Sequence, residues 1–432
     1  MRKAIVSAIT LSVLLPLIRS PHLYSDDVGG KTVFIRGLVF GVLFLIALLI
    51  FLGKNNPFCK VLLDRMAKLG RNRLVIAVAA STALLALSTL FAYNKAFAFF
   101  GEISRTEGFL TIFSFSAFLF LMALVFEKKD WNRYFLLTSI VGMFTFVITL
   151  FQVADSGARP DAWLGNPMYL CTYYLFALTT GGYVFLEARK NKRILTMYFG
   201  VATILASIIG VFLTQSRAGI LALFVAVLVG LVVVAVKGKA RMLWGKTLRF
   251  WTLLVFVAII VFSGIFLSTR HADFWQKIPG LNRVATSNLA GETIASRAKI
   301  TKLSINGFFG HSNTKTLLLG WGWDNYVFFY QQNYDPSIFQ YEELIADRAH
   351  DKLIDVLVMS GILGLISYMA IWFFLFKYCL RLMREHFPFG LVTLVFLVAF
   401  FVNNLFGFDV AVSYLALYSI AAFLVFTHYE RV

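Results

Sequence analysis

The chain has 432 residues, of which 59% are hydrophobic and 14% charged, and it carries a net charge of +18. Water-soluble domains hold about 25% charged residues, so this composition excludes an ordinary soluble enzyme. In a soluble chain the positive charge would suggest nucleic acid. Here it sits beside apolar runs of spanning length, which argues against that partner and makes it a topology signal.

Apolar stretches of roughly 20 residues suffice to cross a hydrocarbon core of about 30 Å. They predict spans at 4–18, 31–52, 74–94, 108–126, 134–154, 167–187, 195–214, 217–236, 250–268, 350–376, 388–406 and 409–427. The seventh and eighth are separated only by Gln215 and Ser216, which predicts a tight hairpin. No segment alternates with the period of a barrel strand, so the fold class is all-α: a polytopic transmembrane helix bundle of about 12 spans. Met1-Arg2-Lys3 and the apolar run to Ile18 also have the form of a signal peptide. No small-x-small cleavage site follows, and the first helix is read as uncleaved.

Cytoplasmic loops of membrane proteins collect Lys and Arg. With the N-terminus inside, the inner segments hold 24 of them, among them Lys54, Lys60, Arg65, Lys68, Lys237, Lys239 and Arg241; the short outer segments hold far fewer. Cys59, Cys171 and Cys379 show neither pairing nor metal spacing. The chain divides into 1–268, holding nine spans; 269–348, a large extracytoplasmic loop; and 349–432, holding the last three.

The loop is too rich in aromatics for a disordered connector, with Trp275, Phe308, Trp321, Trp323, Tyr326 and Tyr330 among them. These residues can pack the loop onto the bundle and anchor it at the headgroups, or stack on sugars or lipid. From Ser287 to Phe309, Leu289, Ile294, Ala298, Leu303 and Ile305 interleave with Arg297, Lys299 and Lys302, which predicts a short interfacial helix.

Ionisable residues at a membrane edge are costly and therefore functional candidates. Arg217, in Thr214-Gln215-Ser216-Arg217-Ala218-Gly219, occupies the shortest outer turn. Its guanidinium could grip a phosphate bidentately or merely snorkel to the interface. Arg297 lies on the loop helix, where a solvated basic face is the plainer reading. His350, in Asp347-Arg348-Ala349-His350-Asp351, opens the tenth span. A neutral imidazole there could act as a base near pH 7; Asp347 could cap the helix, or Asp351 could orient the ring. His22, His271 and His311 lie in outer segments without such a setting, and His386 and His428 fall inside.

Arg348-Ala349-His350-Asp351, followed by Gly361-Ile362-Leu363-Gly364-Leu365, resembles the O-antigen ligase and polymerase superfamily, which places a histidine after its large periplasmic loop. Gln215-Ser216-Arg217-Ala218-Gly219 resembles the family's arginine motif and Ser296-Arg297 its loop arginine. Leu319-Gly320-Trp321-Gly322-Trp323-Asp324-Asn325-Tyr326 is similar to its Gly-Trp-Gly segment, and Gly165-Asn166-Pro167 to another common segment. Asp351 departs from the pattern, where many relatives carry Asn; a carboxylate there would raise the basicity of His350.

The resemblance implies a GT-C-like glycosyltransferase of the bacterial cytoplasmic (inner) membrane, with its active site facing the periplasm. It would move a glycan from undecaprenyl pyrophosphate to an acceptor hydroxyl, with inversion and without metal or other cofactor. His350 would be the base, and Arg217 and Arg297 would bind the donor pyrophosphate. Asp347, Arg348, Asp351 and Asp409 would support them, Asp409 from the last outer turn, by positioning an arginine or the acceptor. No acidic or His/Cys cluster has metal-ligand spacing. The acceptor could be lipid A-core (a ligase), a second lipid-linked glycan (a polymerase) or a polypeptide, with membrane lipids as surroundings. A transporter or lipid flippase is the alternative of another class, but it would show repeated halves and charges near mid-bilayer.

The charge asymmetry predicts that Cys placed at Ser312 is labelled by an impermeant thiol reagent in intact cells, and that Cys placed at Lys239 is protected. The opposite pattern would invert the topology.

Overall fold

Inside a bilayer no water is available to backbone amides, so a spanning segment must satisfy them internally, and a helix does so within one segment. The computed structural model describes residues 1–20, 25–52, 57–156, 158–237, 242–243, 246–286, 292–339 and 346–429. Among these, nine helices are long and apolar enough to cross a membrane: Gly29–Leu52, Arg73–Leu90, Lys128–Asp155, Ile194–Leu213, Arg217–Lys237, Leu248–Thr269, Lys352–Glu385, Phe387–Asn404 and Ala411–Tyr429. A two-residue antiparallel ladder pairs Met242 with Thr247 and Leu243 with Lys246 just ahead of the helix Leu248–Thr269. His22, Lys54, Lys239, Arg241 and Leu289 lie outside the described residues.

The other three expected spans are also helical, and each falls short for its own reason. Arg2–Thr10 is α-helical but continues as a 3-10 helix over Leu11–Leu17, which contains Pro16; proline lacks the N–H that an α-helix needs. Phe109–Val125 has 17 residues, a length of about 25 Å at ~1.5 Å per residue. Pro167–Lys190 is long enough, at 24 residues, but its tyrosines and threonines lower its hydropathy. Several of their hydroxyls are paired inside the bundle, although that of Tyr173 is buried without a hydrogen-bond partner: Tyr174 meets Thr149 at 2.5 Å and Tyr183 meets Thr393 at 2.5 Å, Ser139 donates to Thr180 at 3.0 Å, and Asn403 donates to Thr172 at 2.9 Å. Polar groups paired in this way stay inside at little cost.

Burial grades outward from the last helix. In Ala411–Tyr429, 94% of the most apolar window is buried, against 11% in Leu248–Thr269 at the periphery. Helix Lys352–Glu385 is broken at Gly361, whose φ of +70° and ψ of −174° are non-helical. The break frees the carbonyls of Val358 and Met359, which accept from the amides of Trp321 and Gly322 at 3.0 Å each; Ser88 Oγ also donates to Met359 O at 3.0 Å. The Gly-Trp-Gly segment of the loop is thereby laid against the broken helix. A Cβ on Gly320 would stand 2.4 Å from the backbone of Met359 and Ser360, so the approach requires glycine.

In the loop, Glu292–His311 forms the expected helix, but with a different buried face. Ser296, Ile300, Ser304 and Phe308 are buried at four-residue spacing, whereas Ala298 and Ile305 are exposed. Ser304 is admitted because its hydroxyl donates to Ile300 O at 2.7 Å and meets Tyr326 OH at 2.6 Å. Short helices Asp273–Gln276, Leu281–Ala285, Thr314–Leu319 and Tyr326–Gln332 and the 3-10 turn Pro336–Ile338 complete the described loop. Trp323, Tyr326, Phe329 and Tyr330 are buried, as packing aromatics should be, while Phe274, Phe309 and Phe339 are exposed.

Candidate active site

The stretch before helix Lys352–Glu385 is held residue by residue. Asp347 pairs with Arg105. Arg348 is buried and pairs with Asp324, with Glu107 at 3.9 Å. Ala349 N donates to Asp355 Oδ1 at 2.7 Å. Asp351 caps the helix, its carboxylate accepting from Leu353 N at 2.8 Å and Ile354 N at 3.3 Å. Between these ties His350 has a φ of +55°. The left-handed region costs an L-residue about 1–2 kcal/mol, and such strain persists where its surroundings over-determine it, often at functional sites.

Asp324 is the anchor on the loop side. One carboxylate oxygen meets Arg348 and the other accepts from Glu102 N at 2.6 Å. Trp323 Nε1 donates to Glu107 O at 3.0 Å, and Asn325 exchanges hydrogen bonds with the backbone of Asn94 at 2.8 and 3.1 Å. The Gly-Trp-Gly-Trp-Asp-Asn run thus ties the loop to the segment before helix Phe109–Val125. Burial pushes the Glu107 carboxyl up to about 8, against the pull of Arg348 and Arg105. Burial also works against the charge of Arg348 but is outweighed by Asp324, Asp355 and Glu107, so the guanidinium stays protonated.

Phe408 is the hub above this network. Its ring lies 5.6 Å from the His350 imidazole, 4.7 Å from the Arg105 guanidinium, 5.7 Å from that of Arg348 and 5.9 Å from the Tyr169 ring. Arg297 donates to Phe406 O in the same turn at 3.1 Å. Burial, and then the charges of Arg297, Arg105 and Arg348, hold the His350 imidazole down at about 4. The ring is therefore neutral at pH 7, with three guanidiniums nearby, of which Arg105 and Arg348 are each paired with a carboxylate.

Arg217 belongs to a second group. It opens helix Arg217–Lys237 after Gln215, whose φ is +52°. Arg159 Nε donates to Thr214 O at 3.2 Å, and Arg283 donates to Gln215 O at 3.4 Å. Burial first, and then neighbouring arginines including Arg217, lowers the pKa of both Arg159 and Arg283. Gly219 is required because a Cβ there would overlap Cys171 Sγ. Helix Pro167–Lys190 joins the two groups: Cys171 touches Gly219, and Met168 touches Gly407 beside Phe408. Asn166 caps that helix, accepting from Met168 N at 2.8 Å, so Gly165-Asn166-Pro167 is a helix start.

The structure therefore brings His350 and Arg297 together and sets Arg217 with Arg159 and Arg283. Three supporting residues differ in role from expectation. Asp351 caps the helix and does not hydrogen-bond the imidazole. Asp347 reaches Arg105 and does not cap. Asp409 is buried and faces a lysine: it pairs with Lys352 at 3.0 Å and accepts from Asn404 at 2.9 Å. Arg105 and Glu107 carry no signal in the sequence, whereas Asp324 lies in the Gly-Trp-Gly motif and Lys352 directly follows Asp351 in the histidine motif. Of the other histidines, His311 is engaged with Asn333 and His428 stacks on Tyr378, away from this site.

If Asp351 acts as a cap, Asp351→Asn keeps the thermal midpoint of the detergent-purified protein, because Asn caps as well as Asp. Asp351→Ala lowers stability by about 0.5–2 kcal/mol. Equal losses in both variants would argue for a role that needs the carboxylate charge.

Residues 202–369 match the family model described as O-Antigen ligase. No curated protein matches the chain. The matched segment contains Arg217, Arg297, the Gly-Trp-Gly run and His350, and its helices lie in a polytopic bundle. Over that segment the chain is similar to the O-antigen ligase family.

Proposed function

We propose that this protein transfers a glycan from undecaprenyl pyrophosphate to an acceptor hydroxyl on the outer side of the bacterial cytoplasmic membrane, as an O-antigen ligase with lipid A-core as acceptor. One observation carries the reading: a neutral imidazole, held in a strained backbone, among Arg297, Arg105 and Arg348. In the step, the acceptor oxygen attacks the anomeric carbon and His350 takes its proton. The bond from that carbon to the pyrophosphate oxygen breaks, and undecaprenyl pyrophosphate leaves with the electron pair. Direct displacement inverts the anomeric centre.

The leaving group gains negative charge as the bond breaks, and fixed guanidiniums offset it without rearranging. Arg297 and Arg217 are assigned to the pyrophosphate. Because guanidinium groups supply this charge, the proposed step is metal-independent. The cations around His350 make it a weak base while the site is empty. A bound pyrophosphate offsets them, so the imidazole becomes more basic when the donor is present.

General-base catalysis is worth about 10²–10⁴-fold, so His350→Ala should cut turnover by that order while donor binding survives. Arg217→Ala and Arg297→Ala should each cost about 1.5–3 kcal/mol, roughly tenfold or more in transfer, with Lys restoring only part because it lacks the fork. The imidazole must be neutral to act, so activity falls as pH drops through its pKa. The acidic limb of kcat/KM, which reports the free enzyme, should lie near pH 4. That of kcat should lie higher. Asp351→Asn should leave both in place, because Asp351 does not contact the ring. Wild-type turnover in His350→Ala would end the proposal. Supplying lipid A-core, a second lipid-linked glycan or a peptide identifies the acceptor; transfer only to the second glycan would make the protein a polymerase.

A further inference from the structure

A half-open cleft of about 530 Å³ is lined in part by Gly320 and Trp321 of the Gly-Trp-Gly segment. Its volume falls within the ~300–1,000 Å³ usual for small-molecule sites. One wall is aromatic: Phe91 and Tyr93, from the end of helix Arg73–Leu90, meet Trp321 from the loop. The Tyr93 and Trp321 rings are 5.8 Å apart, yet Tyr93 remains 62% exposed.

The opposite walls are polar and almost uncharged: His311, Asn313, Thr316, Gln332 and Asn333, with Lys315 the one ammonium. Most of these groups are fixed. His311 Nδ1 meets Asn333 Oδ1 at 2.6 Å, and Asn333 Nδ2 donates to Phe329 O at 2.9 Å. Asn313 accepts from Thr316 N at 3.0 Å, and Lys315 Nζ donates to Phe91 O at 3.4 Å. Exposed rings beside fixed amides and hydroxyls suit a ligand with apolar C–H faces and a rim of hydroxyls. An anionic lipid headgroup would call for several cations, which this cleft lacks.

We infer that this cleft is a glycan subsite, binding sugar residues of the chain being transferred or of the chain that accepts it. The inference rests on the transfer reading for its biological meaning. Its geometry is independent of His350, which lies outside the cleft. The backbone of Trp321 joins the two places: its amide is fixed on the helix that His350 precedes, and its ring lines the cleft.

The test uses the full-length protein in detergent, titrated calorimetrically with two lipid-free probes. One is the organism's own surface polysaccharide cut to oligosaccharides; the other is core oligosaccharide released from its lipopolysaccharide. The cleft should bind at least one, and which one distinguishes the transferred chain from the acceptor. Tyr93→Ala and Gln332→Ala alter exposed side chains, and each should weaken binding roughly two- to tenfold. His350→Ala should bind the probe as wild type does. Binding of neither probe, or equal binding by wild type and both variants, overturns the subsite. So does displacement of the bound probe by phosphatidylglycerol vesicles, which would make the cleft a lipid contact. The two readings fail separately: wild-type transfer by His350→Ala removes the proposed mechanism and leaves the cleft standing, whereas unchanged binding in Tyr93→Ala and Gln332→Ala removes the cleft and leaves the mechanism.

Discussion

The buried pair of Arg348 and Asp324 is the contact on which the rest of the site depends. Two charges out of water are tolerable only as a well-paired unit, and removing one partner of such a pair typically costs about 3–5 kcal/mol. The pair joins the large loop to the residue two before His350. Burial keeps the carboxyl of nearby Glu107 up at about 8, so at neutral pH it is mostly protonated and Asp324 carries the main opposing charge. Arg348 is thus committed to structure, and its neighbours Arg105 and Arg297 supply positive charge at the imidazole.

A second constraint works with the first. The break at Gly361 leaves helix carbonyls that need donors, and the loop supplies them from Trp321 and Gly322. Non-helical backbone at this depth is stable because it is buried in protein. The loop is therefore fixed at the broken helix and again at Arg348. His350 lies between these anchorages and the Phe408 turn, which explains how a left-handed histidine can be maintained. The lower pair of Lys352 and Asp409 then reads as support: it ties the start of the histidine helix to the turn that carries Phe408.

The bundle was legible because bilayer thickness sets a length that apolar runs must meet. Even Pro167–Lys190, with its tyrosines, stood out as a run, although only the folded structure shows what its hydroxyls bind. The exposed and buried faces of Glu292–His311 were not legible, since Ser296 and Ser304 look like solvent positions until Ile300 and Tyr326 satisfy Ser304. His350 and Arg297 were found through motifs, and the structure brings them together. Arg105 and Glu107 were hidden in a short outer loop, where they counted only as charges. Their partners arrive from far along the chain: Glu107 O meets Trp323 at a separation of 216 residues, and Glu102 N meets Asp324 at 222. The sequence leaves open whether Asp347 caps the helix or Asp351 orients the imidazole; Asp351 takes the N-cap, and a residue there turns its carboxylate to the helix amides.

Two groups of arginines are joined by helix Pro167–Lys190, one with a base and one without. That arrangement suits a reaction in which a lipid-borne pyrophosphate is gripped while a hydroxyl is activated beside it. Release of labelled undecaprenyl pyrophosphate from a glycan-loaded donor, followed in proteoliposomes with and without acceptor, tests this most directly. The account predicts one equivalent released for each glycan transferred, and release only when acceptor is present. Movement of intact donor across the bilayer without release would contradict it and make the protein a transporter.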